Sequence, residues 1–211
     1  MQKTKIDWPD LDYTWNPVTG CARGCSYCVV KNRVWPRIRH CYGNYPYNEI
    51  HFQPKQLLKP TLIKKPSVFF VGFYSDIQYW RKEWKERIVE ICRQNKRHTF
   101  MFLTKHYPSY DGIAWPENTM QGVTIECDRA ILPQEQVINT FLKIQNRRPF
   151  FSIEPLLGTL RVKIDERAER VIVGAMTGAG AVIPKPEWIQ SIKDNIPADK
   201  IYWKKNIRGY L

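Results

Sequence analysis

No stretch of this 211-residue chain approaches the roughly 18 consecutive apolar residues of a membrane-spanning helix. The segment Met1-Gln2-Lys3-Thr4-Lys5-Ile6-Asp7 lacks the apolar core of a signal peptide. These absences exclude a membrane span and an export signal, so the expectation is a soluble cytoplasmic protein in a compartment that keeps thiols reduced. Several catalytic signatures are missing as well. There is no G-x-x-x-x-G-K-[ST] phosphate loop, and neither H-E-x-x-H nor a Ser-His-Asp order supports hydrolysis. The one C-x2-C is followed by no second C-x2-C or H-x3-H, the pairing that a closed structural zinc site uses. Nothing suggests disorder or a fibrous repeat: 43% of residues are hydrophobic and 25% charged. A chain of this length buries roughly 70% of its unfolded surface, enough for a substantial core, and it reads as a single domain, 1–211.

Acidic side chains are outnumbered, 20 against 33 Lys plus Arg, for a net charge of +13. Such an excess favours anionic partners: nucleic acid, nucleotides or phosphates. The charge is spread along the chain rather than gathered in an arm. A nucleotide substrate fits this better than tight duplex binding. Aromatic residues reach 13%, and some of them are available to stack on a flat ring.

The feature that stands out is Cys21-Ala22-Arg23-Gly24-Cys25-Ser26-Tyr27-Cys28. Thiolates this close repel one another unless a soft metal takes up their charge. Clustered cysteines in a chain without an export signal point to metal binding or catalysis rather than to disulfides. Two metals suit them: zinc, with His40 or Cys41 as a fourth ligand, or an iron–sulfur cluster with three thiolate ligands and one open iron.

The rest of the chain alternates. Apolar runs at 13–18, 67–73, 99–103, 121–125, 149–153, 170–174 and 201–203 read as strands, with Pro17 at an edge or end. Amphipathic segments at 79–95, 133–145 and 186–194 read as helices, the first carrying Trp80, Trp84, Ile88 and Ile91 at helical spacing and the second Val137, Phe141 and Ile144. Residues 29–40 read as a basic helix interrupted or kinked at Pro36. Residues 41–60 read as a long loop over the thiol side, with a short helix at 54–59. Strands buried on both faces that alternate with helices mark a parallel α/β fold. A closed eightfold barrel needs about 250 residues, and only a loop joins Lys105 to Gln121. The expected fold is therefore α/β, an open, partial TIM-like barrel; a flavodoxin-like open sheet is the second choice.

In such folds active sites gather at the carboxyl ends of the strands. Polar residues stand at each of these: Ser75 and Asp76, Thr104 and Lys105, Glu126, Glu154, Thr177, Lys204 and Lys205. Glu154 is the best supported, since Glu-Pro-Leu-Leu-Gly sets a carboxylate directly on a buried strand. Gly174 opens a glycine-rich turn through Thr177-Gly178-Ala179-Gly180. Cys92 reads as a core thiol on a helix face. Cys41 is close enough in sequence to reach the thiol pocket. Cys127 follows Glu126, with burial as its default.

C-x3-C-x2-C with an aromatic before the last Cys resembles the signature loop of radical S-adenosylmethionine (SAM) enzymes. Longer phrases resemble a phage- and bacteria-associated branch of that superfamily described as a domain of unknown function: Trp15-Asn16-Pro17-Val18-Thr19-Gly20-Cys21, Leu103-Thr104-Lys105, Gly122-Val123-Thr124-Ile125-Glu126 and Glu154-Pro155-Leu156-Leu157-Gly158. The chain departs at Cys28-Val29-Val30 and at Gly174-Ala175-Met176-Thr177-Gly178, where the branch has Cys-Tyr-Ala and Gly-Gly-Glu-Ser-Gly. The resemblance implies a partial (β/α)6 barrel. It implies a [4Fe-4S] cluster on Cys21, Cys25 and Cys28, with SAM on its open iron. Tyr27, Ser75, Asp76, Thr104, Lys105, Glu126 and Gly174 are then the residues to touch the cofactor, and Asn16, Glu154 and Lys204 those to touch substrate. The implied activity is a lyase that releases queuine from queuosine or its 5′-phosphate. Glu154 or Glu126 would meet the guanine-like edge and a lysine the phosphate. The implied partners are that nucleoside or nucleotide and a flavodoxin or ferredoxin electron donor, with no membrane and no polynucleotide required. Two alternatives stand beside it: modification of DNA or RNA bases in place, and a zinc-stabilised nucleic-acid-binding module.

Overall fold

In the computed structural model, residues 3–126, 133–143, 148–178 and 180–211 are described. The expectations for Cys127, Ile144 and Ala179 lie outside them. The fold is mixed α/β with parallel strands and intervening helices. The chain gathers into two compact units. The first holds Met1–Lys5, Leu11–Thr104 and Pro108–Thr119; the second holds Ile6–Asp10, Lys105–Tyr107 and Met120–Leu211. Among the described residues no helix is long and apolar enough to cross a membrane.

In the first unit β1 (Tyr13–Trp15), β4 (Val68–Val71) and β5 (Thr99–Thr104) pair in parallel in that order. Between β1 and β4 the chain forms β2 (Val18–Thr19), α1 (Trp35–Ile38), β3 (His51–Phe52) and α2 (Pro54–Leu57), and β2 pairs antiparallel with β3. The apolar runs that form β4 and β5 are almost wholly buried, as a parallel strand with both faces covered requires. Trp15, Phe69 and Phe100 build the core, with ring centroids 5.6 and 5.3 Å apart along the chain of three. α3 (Lys82–Gln94) turns Ile88, Val89, Ile91 and Cys92 inward. Cys92 is therefore the core thiol expected of it.

The second unit contains β6 (Thr119–Thr124, all but its first residue), β7 (Pro149–Ile153), β8 (Arg170–Val173) and β9 (Ile201–Trp203), parallel and in that order. α4 (Gln134–Lys143) and α5 (Pro186–Asn195) follow β6 and β8. Phe141 of α4 meets Phe151 of β7 edge-on at 5.6 Å.

Two segments differ from the sequence reading. The basic helix at 29–40 is three short pieces: a π turn over Val30–Val34, then α1, then a 3-10 turn over Arg39–Tyr42. Pro36 sits in the first turn of α1, directly after the π turn, so the helical segment changes its turn type at the proline where an interruption was expected. The apolar run at 13–18 is split in two because Pro17 donates no ladder hydrogen bond. Its carbonyl accepts from the Gln53 amide at 2.8 Å instead.

His98, 1% exposed, has Nε2 at 3.2 Å from the carbonyls of both Pro60 and Ile63. Burial, followed by the charge of Arg97, lowers its pKa against the opposing pull of those two carbonyls. A base held neutral in the fold but protonated when unfolded gives stability that is present above the ordinary imidazole value of about 6.5 and lost as pH falls below it. Between about pH 7.5 and 5.5, denaturant midpoints are expected to fall more steeply for the native chain than for His98→Gln. Equal slopes in the two proteins would contradict this.

Candidate functional site

The first unit carries the thiol loop and the residues beside it. Gly20, at φ +89°, begins the loop, and its N–H donates to the Tyr74 carbonyl at 3.0 Å. A Cβ on Gly20 would lie 1.8 Å from the Glu49 carbonyl oxygen, so only glycine lets residues 45–49 pass this close. The Cys21 N–H then donates to the Tyr47 carbonyl at 2.7 Å. The aromatic loop after residue 41 thus does lie against the thiols. Tyr47 is a neighbour of all three. Burial first, then the charges of Cys28 and Cys21, its hydrogen bond with Cys28 and the charge of Cys25 raise its hydroxyl pKa. It was not singled out from sequence, where it is one of four aromatics in a loop.

Cys21 is pushed up to about 11. Burial is the main cause, offset by the Arg23 backbone N–H and reinforced by Asp76, Cys28 and Cys25. The Cys28 sulfur accepts the Lys31 N–H at 3.4 Å. Asp76 caps the 3-10 turn Ile77–Tyr79 by accepting the Gln78 N–H at 2.9 Å, and it accepts the Thr104 hydroxyl at 2.5 Å. Ser75 accepts the Trp80 indole N–H at 2.9 Å. Asn16, 7% exposed, accepts the Tyr74 N–H at 3.0 Å. Thus Asn16, Ser75, Asp76 and Thr104 each have partners within the unit. Tyr27 is half-buried beside Cys28, and Cys41 is exposed.

The second unit carries a row of residues that strand register explains. Thr124 pairs with Ser152, Ile153 with Val173, and Val173 with Trp203. Carried just past the strand ends, the same register aligns Glu126, Glu154, Gly174 and Lys204. Backbone bonds continue it: Ile125 N–H to Ser152, Gly174 N–H to Ile153 and Lys204 N–H to Val173, at 2.9, 3.2 and 2.9 Å. Glu154 and Lys204 form an ion pair across Gly174, their side chains 27% and 11% exposed. A Cβ on Gly174 would stand 2.9 Å from the Lys204 chain and 3.2 Å from that of Glu154, so the missing side chain is what lets the pair close. The other Glu154 oxygen accepts the Trp8 indole N–H at 3.3 Å. Glu126 pairs with Lys105 at 3.1 Å, and both side chains are largely buried.

Residues 6–10 complete this unit. Asp7 accepts the Tyr202 hydroxyl at 2.8 Å and the Lys205 N–H at 2.5 Å. Burial raises the Asp7 pKa, but the Lys205 N–H, the Tyr202 hydroxyl and the charges of Lys204 and Lys205 outweigh it and lower it overall. Asn206 exchanges two hydrogen bonds with the backbone of Ala175, at 3.3 and 2.8 Å, and so steadies the turn after Gly174. Trp8 stands 146 positions from Glu154, a separation no local pattern reports.

The family described as "Protein of unknown function (DUF5131)" matches residues 3–207. No curated protein and no solved structure matches the chain. Two expectations are corrected. The family that matches is one of unknown function and not a radical SAM family, so the expectation of the radical SAM superfamily and its phage-associated branch is corrected. The expectation of a metal-binding, iron–sulfur loop is corrected too. Among the described residues no group of three or more His, Cys, Asp and Glu is placed to hold a metal ion. The Cys28 sulfur is engaged by Lys31 and Tyr47, and Cys21 is a half-buried thiol with Asp76 beside it. The residues as arranged do not fit a cluster.

Proposed function

We propose that this chain, which belongs to the DUF5131 family of proteins of unknown function, is an enzyme that binds a nucleoside or nucleotide at the carboxyl ends of the strands of its second unit. The row Glu126–Glu154–Gly174–Lys204 carries this reading. A purine-like base presents N–H donors, which carboxylates accept, and a 5′-phosphate presents oxygens, which ammonium groups meet. A carboxylate has about four lone-pair sites. The two bonds that Lys204 and Trp8 make to Glu154 leave acceptor capacity for a base edge. Lys205 follows Lys204 at the surface, and its ammonium is the group proposed to meet the phosphate. The net charge of +13 raises the local concentration of such an anion.

The reaction we propose is lyase cleavage of the bond between base and sugar by elimination: the C1′–N bond breaks with its electron pair going to the base, which takes up a proton there, and C2′ loses a proton to leave a 1′,2′-unsaturated sugar. Queuosine 5′-phosphate is the compound to test and free queuine the product. A partial (β/α)6 barrel is the finer architecture that suits this reading, and free thiols suit a cytoplasmic setting. The cofactors expected from sequence enter as additions to the assay and not as parts of the geometry. Queuosine 5′-phosphate is incubated with and without SAM, anaerobic iron and sulfide, and a chemical reductant in place of a protein donor. Free queuine under any of these conditions supports the reading, and the conditions that yield it identify the cofactor. No free base in any arm overturns it.

A further inference from the structure

We propose that residues 54–66, backed by Arg97, form a docking surface for a partner protein that is acidic around an apolar spot. This is independent of the nucleotide reading. α2 turns Leu57 into the core, while Leu58 and Leu62 are 60% and 74% exposed. Single exposed leucines are ordinary; these two differ in how they are held and in what surrounds them. The segment is tied down from beneath. His98 lies against the Pro60 and Ile63 carbonyls. Arg97 donates to the carbonyls of Ile63 and Thr61 at 3.2 and 3.3 Å, and Asn95 donates to the Thr61 hydroxyl at 3.2 Å. The backbone under the leucines is thus already ordered, which lowers the cost of binding there.

The charge within the segment is of one sign. No Asp or Glu occurs between Glu49 and Asp76, whereas Lys55, Lys59, Lys64 and Lys65 do, and Arg97 lies against the segment with Lys96 next to it in sequence. An apolar centre inside a cationic rim complements a protein surface of the opposite sign. A bilayer is the poorer match, because interfacial anchoring takes a long amphipathic helix. Here the helical turns are four residues each, Pro54–Leu57 and Lys59–Leu62. Single-stranded nucleic acid is poorer too, because its bases stack on aromatic side chains and those exposed here are aliphatic.

The test titrates a synthetic acidic peptide bearing two leucines into the full, isotope-labelled chain and follows backbone amide shifts. The expected shifts centre on 54–66 and 96–97. The affinity is expected to fall about tenfold in Leu62→Ser and in Lys64→Glu, and to weaken with salt. Both positions are exposed, so thermal melting is expected to show intact folds. Shifts centred elsewhere, or an affinity indifferent to both variants, would overturn the proposal. So would perturbation of this patch by phosphatidylserine vesicles or an RNA oligonucleotide where the peptide gives none.

Discussion

Glu154→Gln is expected to destabilise the protein by about 3 kcal/mol, because it leaves the Lys204 ammonium buried without its counter-charge. Removing one partner of a buried pair costs about 3–5 kcal/mol, and the partial exposure of Glu154 favours the low end. At this chain length that corresponds to a melting point lower by about 6–12 °C. The remaining contacts of Lys204 do not replace the carboxylate: Asp7 acts on it through charge and is itself engaged by Tyr202 and Lys205. Replacing both members, Glu154→Leu with Lys204→Met, is expected to recover most of the loss, since a well-packed apolar pair removes both desolvated charges at once. Denaturant unfolding of the two single variants and the double variant reads this as a coupling energy. If the single variants melt like the native protein, the pair is not the buried interaction described above.

Gly20→Ala is expected to cost about 3–5 kcal/mol. A non-glycine residue in left-handed backbone costs about 1–2 kcal/mol, and the new methyl would stand 1.8 Å from the Glu49 carbonyl oxygen. That neighbour is backbone, so relief requires residues 45–49 to move, with loss of the bond between Cys21 N–H and the Tyr47 carbonyl. Gly24→Ala is the control. Its φ is +74°, but nothing lies within 4 Å of the added methyl, so only the backbone term of about 1–2 kcal/mol applies. Thermal melts that rank Gly20→Ala well below Gly24→Ala would support this account of the loop. Equal losses would mean that the segment at 45–49 is free to move away.

The parallel strands were legible because they are short apolar runs bounded by polar residues, and the central ones are buried on both faces; β3, two residues inside the stretch read as a loop, was not. The phrase ending in Glu154 was legible for the same reason: a carboxylate directly after Pro-Phe-Phe-Ser-Ile has nowhere to point but the strand end. What escaped was long-range. Trp8 reaches Glu154 and Asp7 reaches Tyr202 only once the chain has folded, and no spacing in the sequence encodes either contact. The interruption around Pro36 was legible in the proline itself; its form, a π turn ahead of α1 and a 3-10 turn behind it, was not. The thiol loop misled for a different reason. Cysteines spaced for a metal are necessary for a site but do not place their sulfurs. Here Lys31, Tyr47 and the burial of Cys21 decide where those sulfurs lie.

The row Glu126–Glu154–Gly174–Lys204 is proposed to take a nucleotide. The direct measurement is calorimetric titration of queuosine 5′-phosphate into the native protein and into the doubly substituted Glu154→Leu, Lys204→Met chain, which is expected to stay folded. Binding by the native protein, weakened at least about tenfold in the double variant, is the predicted result. Equal affinity in the two proteins, or no binding by the native one, would contradict it.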